Sequence, residues 1–183
     1  MAVNISKPEI NIREKLKELD NSSYDRLPIG SVVQVQYNVL PAYGAINESE
    51  TNSASWQPTT FNVSISPRYA NSMIVIQSAP NIKSNGASAY HDLGVFKSID
   101  GEGYSQLLPS YGATASPHGS TNWRFNGETL WYANAPILIV DYPATTGEVN
   151  YKIYHRVTTS GAYTVRVGEN STDEYMMAME IKQ

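Results

Sequence analysis

From Gly30 onward, hydrophobic and polar residues alternate with the period of two that is typical of a β-strand. In SVVQVQYNV, residues 31–39, valines and a tyrosine alternate with glutamines and an asparagine. Alternation or a short apolar run recurs later in the chain, and the whole pattern predicts about nine or ten strands. The later segments are residues 61–66, 73–77, 92–99, 103–108, 128–135, 136–142, 149–157, 162–168 and 174–182.

The residues between these segments favour antiparallel neighbours. DGEG, residues 100–103, lies between two strand-like segments and is a strong hairpin signal, because Asp-Gly favours a tight turn. MIVIQ, residues 73–77, is apolar almost throughout, which predicts a central strand. Many short antiparallel strands with no helix between them predict a mainly β fold. We expect an antiparallel jelly-roll-like β-sandwich preceded by one short N-terminal α-helix.

The N-terminal stretch SKPEINIREKLKELD, residues 6–20, follows a helical period instead. Ser6 is followed three residues later by Glu9, which is the spacing of a capping box, and Pro8 lies in the first turn, where proline is tolerated. The helix carries one apolar stripe, with a hydrophobic staple at its start. The stripe and the staple are formed by Ile5, Ile10, Ile12, Leu16 and Leu19.

A helix of about three to four turns is marginal in water, so its apolar stripe needs a partner. Two alternatives remain open: the stripe packs on the β domain of the same chain, or it docks on another subunit or on its own copies in an oligomer. Residues 21–30, NSSYDRLPIG, have the composition of a turn or linker. We therefore divide the chain into a helical anchor with its linker, 1–29, and a β-sandwich domain, 30–183.

Two long segments, residues 41–58 and 109–123, lack a clear strand signal and predict loops, which in compact domains are often functional. Aromatic rings in or beside them can stack on sugars or anchor protein contacts. The tryptophans can also simply close the ends of the sandwich. The aromatic residues are Trp56, Tyr69, Tyr111, Trp123, Trp131 and Tyr132, and His118 lies in the second loop.

Composition and charge exclude several classes of function. The 183 residues include no cysteine, so disulfides and thiolate zinc sites are ruled out. The net charge of −4 gives no basic footprint for nucleic acid or for an anionic membrane surface. We expect no signal peptide and no membrane insertion, because no positively charged start leads into an apolar run and no run approaches about 20 apolar residues. Charged residues make up only 16% of the chain, and 13 tyrosines suit a surface built for contact.

The search for catalytic or metal-binding patterns is negative. His91 and His155 lie within predicted strands without metal-ligand spacing, and we interpret them as ordinary strand residues. No G-x-S-x-G elbow accompanies the serines near His118. IDGEGYS, residues 99–105, lacks the acidic ladder of a calcium loop and is interpreted as a turn. No cofactor is expected. In the methionine-rich last strand, Tyr175, Met177, Met179 and Ile181 share one face, and the strand is interpreted as core or subunit interface.

INIREKLKELD, residues 10–20, resembles the N-terminal signature of virion structural proteins of marine tailed phages, especially those infecting cyanobacteria. GSVVQVQYNV at the start of the β part and MMAMEIK in the last strand are similar to a β domain of the same virion proteins. So are the hairpin FKSIDGEGYSQLL and the strand VNYKIYHRV that follows PATTGE. Many relatives continue from the helix into a longer tail-fibre region, whereas this chain goes almost directly to the β domain.

The resemblance implies a non-enzymatic protein on the outer surface of the virion, commonly a homotrimer, with a major capsid or tail protein as partner. The structural reading is a capsid decoration (cement) or head-fibre protein, anchored through Ile5, Ile10, Ile12, Leu16 and Leu19. The alternative is a tail-fibre or receptor-binding protein that recognises host surface glycan. Its candidate ligand residues are Tyr111, His118, Trp123 and Trp131.

Overall fold

The computed structural model describes residues 27–40, 48–85, 90–107, 121–124, 131–157, 163–168 and 173–183, with the backbone alone for Tyr90, 121–124 and 131–132. These residues form thirteen strands. They are β1 Val32–Leu40, β2 Ser49–Thr51, β3 Gln57–Ile65, β4 Met73–Ser78, β5 Asn81–Ser84, β6 Tyr90–Ile99, β7 Ser105–Gln106, β8 Thr121–Arg124, β9 Trp131–Asn134, β10 Ile137–Asp141, β11 Val149–Val157, β12 Val165–Val167 and β13 Glu174–Ile181.

Two sheets form the body of the domain. The first sheet has the strand order β1-β13-β4-β10, and the second has the order β3-β11-β6-β7, with β8 also paired to β6. All the pairings in these sheets are antiparallel. Leaving β8 aside, the remaining eight strands, four in each sheet in this order, have the connectivity of a jelly roll. The mainly β, antiparallel sandwich expected from the alternation is therefore confirmed.

The third sheet, which we call the loop sheet, has the order β2-β12-β5-β9. Each of its strands comes from a different long connection, namely β1 to β3, β4 to β6, β7 to β10 and β11 to β13. The strand registers place these four connections at one end of the sandwich, which we call the loop end. The opposite end, the terminus end, holds residues 27–31, the C-terminus and the three short connections 66–72, 100–104 and 142–148.

The core lies between the first and second sheets. Ile74 and Ile76 of β4 face Phe61 of β3 and the fully buried Tyr151 and Ile153 of β11 within one continuous cluster. Because burying each large side chain contributes about 1.5–3 kcal/mol, this cluster supplies the main driving force for folding. In β11, every second residue from Val149 to Val157 is buried, as the period of two predicts.

Most strand predictions agree with the structure. The central position of 73–77 is confirmed, because β4 lies between β13 and β10. The hairpin at DGEG is also confirmed, since β6 and β7 flank it and both Asp100 (φ 49°) and Gly101 (φ 79°) adopt positive φ. Two left-handed residues in succession suit the tight turn that Asp-Gly predicts.

The prediction of two long loops is wrong in part, because the structure places strands within both segments. Residues 41–58 contain β2 and the first residues of β3, and residues 121–123 belong to β8. β5 also has no counterpart among the predicted strands. These strands have three or four residues, too few for a period of two to stand out from the surrounding sequence. The predicted helix, residues 6–20, and its stripe lie outside the described residues.

Candidate functional site

The outward side of the first sheet is an exposed apolar surface. Ten large hydrophobic residues are exposed in the described part of the chain, and eight of them lie on this side. We call this surface the apolar face. Its exposed residues are Val32, Val35, Tyr37, Val39, Leu138, Val140, Tyr142 and Tyr175, and its partly buried ones include Met73, Val75, Met177, Met179 and Ile181.

The strand registers show that the apolar face is continuous across all four strands. One row runs from Tyr37 through Met177 and Gln77 to Leu138, as successive cross-strand partners. The two ends of this row are the most exposed positions, with 70% of Tyr37 and 71% of Leu138 accessible. No outward-facing residue of the four strands carries a charge. Apolar patches of this kind on soluble proteins mark interaction sites.

Hydrogen bonds to β3, the neighbouring edge strand, show which side of β1 faces inward and which faces outward. The Asn38 side-chain amide donates to the Asn62 carbonyl oxygen of β3 at 3.1 Å, and the Gln34 amide donates to the Ser66 carbonyl oxygen at 2.7 Å. β3 is the edge of the second sheet, so these amides satisfy carbonyls that have no strand partner there. The polar side of β1 therefore turns toward the second sheet, and Val35, Tyr37 and Val39 turn outward.

A shallow groove lies at the loop-end side of the apolar face. Its volume is about 350 Å³. The groove is open rather than enclosed and is smaller than most of the cavities that hold drug-sized ligands. Since four of its residues belong to the apolar face, we treat the groove as a shallow depression in that face and not as a separate ligand site. It is lined by Tyr37, Val39, Asp173, Glu174, Tyr175 and Met177.

The outward side of the second sheet is covered by its own aromatic residues. The ring of Phe96 lies 4.2 Å from that of Tyr154 and 5.4 Å from that of Trp56, and Tyr104 lies 5.7 Å from Tyr154. The Arg156 guanidinium lies 4.5 Å from the Trp56 ring. These rings pack on one another and on a cation, so they are an aromatic ladder that shields the sheet.

Gly94 makes room for this ladder. A Cβ atom at Gly94 would lie 3.1 Å from the Trp56 ring and 3.2 Å from the Phe96 ring. Trp56 was a candidate loop aromatic, and the structure places it half-buried against the sheet instead. Tyr69, another candidate, lies in the connection 66–72 at the terminus end, with the Lys182 ammonium 5.2 Å from its ring.

The remaining candidate ligand residues belong to the connection between β7 and β10 at the loop end. Trp123 lies in β8 opposite His91, and Trp131 lies in β9 opposite Ser84, and their side chains are outside the described part. Tyr111 and His118 are outside the described residues altogether. The described part of the loop sheet carries an ion-pair cluster, in which Arg166 contacts Glu48 and Glu50 at 2.7 Å each.

Two histidines that are 64 residues apart in sequence meet in the core. His91 Nε2 and His155 Nδ1 lie 3.3 Å apart, and both side chains are almost fully buried. Both residues lie in strands, as expected, but the contact between them leaves no signal in the sequence. Burial lowers the pKa of His155 to about 4, and burial together with the charge of His155 lowers the pKa of His91 well below its usual value. Both imidazoles are therefore neutral at pH 7, and one can donate to the other.

This histidine pair predicts acid sensitivity. Because the pKa of each histidine is lower in the folded state than the 6.5 of an unfolded chain, its contribution to stability is complete above pH 6.5 and is lost as the pH falls toward 4. His155 alone should lower the free energy of unfolding by about 3 kcal/mol between pH 7 and pH 4. Urea unfolding of the wild type and of His155→Gln across this range measures the effect. If the free energy of unfolding falls equally with pH in the wild type and in His155→Gln, the prediction is contradicted.

Among the residues that the structure describes, no group of three or more His, Asp or Glu side chains is placed to hold a metal ion. A helix long and apolar enough to span a membrane is likewise not found in the described ranges.

Comparisons with known proteins give little further guidance. No protein-family model matches the sequence, and no curated protein matches it. A chain in the structure of infectious bursal disease virus, Gx strain, is weakly similar in fold, with a TM-score of 0.31 and 9% sequence identity. The match covers 82% of this chain and 38% of the viral chain, so the present chain spans less than half the length of that protein.

Proposed function

We propose that this chain is a non-enzymatic structural protein on the outer surface of a virus particle, of the capsid-decoration (cement) or head-fibre type. The observation that carries the proposal is that the two ends of the sandwich differ. Residues 27–31 and the C-terminus lie at the terminus end, whereas the four long connections lie at the loop end. Such a domain is suited to being held at one end while the other end is displayed.

Hydrogen bonds fix the point where the N-terminal segment enters the sandwich. The Gly30 N–H donates to the Lys182 carbonyl oxygen at 2.8 Å, and the Lys182 N–H donates to the Ser31 carbonyl oxygen at 2.9 Å. The residues that precede 27 therefore join the domain at the terminus end. In the proposal, the apolar stripe of the predicted helix docks on a major capsid or tail protein, which supplies the partner that a short helix needs.

The resemblance of residues 10–20 to virion proteins of marine tailed phages supports the same assignment, and it is independent of the strand geometry. The lack of charge on the apolar face and the low overall content of charged residues also suit a protein whose surface is covered by neighbouring subunits.

A tail-fibre or receptor-binding protein is the alternative. It is favoured by the position of the connection between β7 and β10, which carries Trp123 and Trp131 and lies at the loop end, away from the N-terminal segment. Loops displayed by a rigid sandwich are a common means of recognition, and aromatic residues on them suit host surface glycan.

Counting the chain in purified particles tests the proposal. A decoration protein should be present in on the order of tens to hundreds of copies, set by capsid symmetry, and a tail fibre in only a few. The full-length Leu16→Glu/Leu19→Glu variant should lower the copy number at least about tenfold, because it removes two apolar anchors. Quantitative mass spectrometry of particles gives the number.

Lys17→Glu is the matched control, since it changes the charge of the predicted helix by the same amount on its polar side. It should leave the copy number unchanged. A protein that is missing from wild-type particles would overturn the assignment, and a few copies per particle would replace decoration with the tail-fibre alternative.

A further inference from the structure

The apolar face is too large to be ordinary surface. With roughly 200 Å² for a fully exposed aromatic side chain and less for an aliphatic one, its eight exposed residues present on the order of 700 Å². The largest apolar patch on a typical soluble monomer is about 300–600 Å², whereas each partner in a standard protein interface buries about 800 Å². The partly buried Met177, Met179 and Val75 bring the apolar face close to the second value.

We infer that the apolar face is an interface between copies of this chain, in which the first sheet of one protomer packs on the first sheet of another. The inference goes beyond the proposed function and does not depend on it, since a chain can self-associate whether or not it belongs to a virus particle.

The composition of the face favours a copy of itself as the occupant. Interfaces between identical subunits are more apolar than transient ones, with aromatic residues and methionine enriched and charges depleted. The face contains three exposed tyrosines and three partly buried methionines, and its outward positions carry no charge. Two such faces can meet without like-charge repulsion. By contrast, the outward side of the second sheet carries Asp92, Lys152 and Arg156.

The width of the face argues against the predicted N-terminal helix as its cover. Tyr37 on β1 and Leu138 on β10 are the most exposed of its residues, and they lie on opposite edge strands. Three strand spacings separate these edges by about 14 Å. A helix with its side chains is about 10–12 Å across and presents a single apolar stripe. One helix would leave an edge uncovered, whereas a second sheet covers all four strands.

Packing of two sheets also suits the shape of this surface. Sheets pack face to face with their side chains interdigitated about 10 Å apart, as within a sandwich. At the middle of the face, Gln77 is the polar outward residue in the row between Tyr37 and Leu138. Its amide both donates and accepts, so it can hydrogen-bond the equivalent residue of a like surface.

The mass of the full-length protein in solution tests the inference. Wild-type protein should form a dimer when measured by light scattering or sedimentation between about 1 and 100 μM, because a surface that packs on its own copy closes at two subunits. The Tyr37→Lys/Leu138→Lys variant places charges at both edges of the face and should weaken association at least about 100-fold. Tyr104→Lys, which adds one charge at an exposed tyrosine beside the second sheet, is the control and should associate like the wild type.

A second variant keeps the test independent of the folding of the lysine variant. The natural chain has no cysteine, so Gln77→Cys introduces a single thiol at the middle of the face. Under mild oxidation it should give a disulfide-linked dimer at concentrations where Tyr104→Cys does not.

Wild-type protein that stays monomeric at 100 μM would overturn the inference. So would an oligomer whose dissociation constant is the same in the lysine variant. If the wild type is monomeric and the lysine variant makes residues 1–26 more susceptible to protease, the occupant is the N-terminal segment. Each of these results leaves the particle copy number, and with it the proposed function, undecided.

Discussion

Glu180→Ala is expected to lower the free energy of unfolding by about 3–5 kcal/mol, because it removes the acceptor for four buried or half-buried donors. Glu180 lies in β13, and its side chain is fully buried. Its Oε1 accepts from the N–H groups of Arg68 and Tyr69, at 2.8 and 3.2 Å, and from the hydroxyl of Ser72, at 2.6 Å. Its Oε2 accepts from the side-chain amide of Gln34 at 2.7 Å.

Through these hydrogen bonds, the Glu180 carboxylate holds the connection 66–72 against the first sheet at the terminus end. Glu180→Gln keeps one acceptor oxygen and should cost less, about 1–2 kcal/mol. Glu102→Ala, at an exposed carboxylate, is the control and should change the free energy by less than about 0.5 kcal/mol. Urea unfolding at pH 7 compares the three variants. If Glu180→Ala unfolds at the same urea concentration as Glu102→Ala, the hydrogen bonds to the Glu180 carboxylate do not stabilise the fold.

Asp141→Ala is expected to lower the free energy of unfolding by about 3–4 kcal/mol. Asp141 lies in β10 of the first sheet, and its partners lie in the second. The Lys97 ammonium is 2.9 and 3.0 Å from its two oxygens, and the Tyr151 hydroxyl donates to Oδ2 at 2.9 Å. Burial and the neighbouring carboxylate raise the pKa of Tyr151, so its hydroxyl remains protonated and keeps donating.

A double-mutant cycle separates this link between the sheets from simple loss of packing. Asp141→Leu and Lys97→Met each leave a charge without its partner, so each single variant should be strongly destabilised. The double variant removes both charges and should recover part of the loss, with a coupling of about 1–3 kcal/mol. Strictly additive losses would show that the ion pair contributes nothing. Tyr151→Phe reports the hydroxyl alone and should cost about 1 kcal/mol.

Much of the fold was predictable because it depends on local patterns. The period of two located β1, β3, β11 and β13 to within a few residues, and Asp-Gly located the hairpin at residues 100–101. In the loop sheet, β9 and β12 lie within the predicted segments 128–135 and 162–168, whereas β2, β5 and the pairing of the four strands were not predictable in the same way. Its strands contain three or four residues each, and they exist because four connections meet at one end of the sandwich.

For the apolar face, the sequence pattern predicted which residues lie together but not whether they are buried. The sequence indicated that Tyr175, Met177, Met179 and Ile181 share a face, and it left open whether that face is core or subunit interface. The structure places them on the outward side of the first sheet. The predicted anchor residues and the candidate ligand residues remain predictions, since residues 1–26, residues 108–120 and the side chains of Trp123 and Trp131 lie outside the described part.

The sequence by itself determined where the long strands lie and which of their residues share a side, because neighbouring side chains in a strand point to opposite faces. Only the tertiary structure decided which side is buried. In β1 the inward side is the polar one, because Gln34 and Asn38 satisfy carbonyls at the edge of β3. In β13 the inward Glu180 finds donors more than a hundred residues away. Those hydrogen bonds turn the more apolar sides outward, and the exposed apolar face is the consequence.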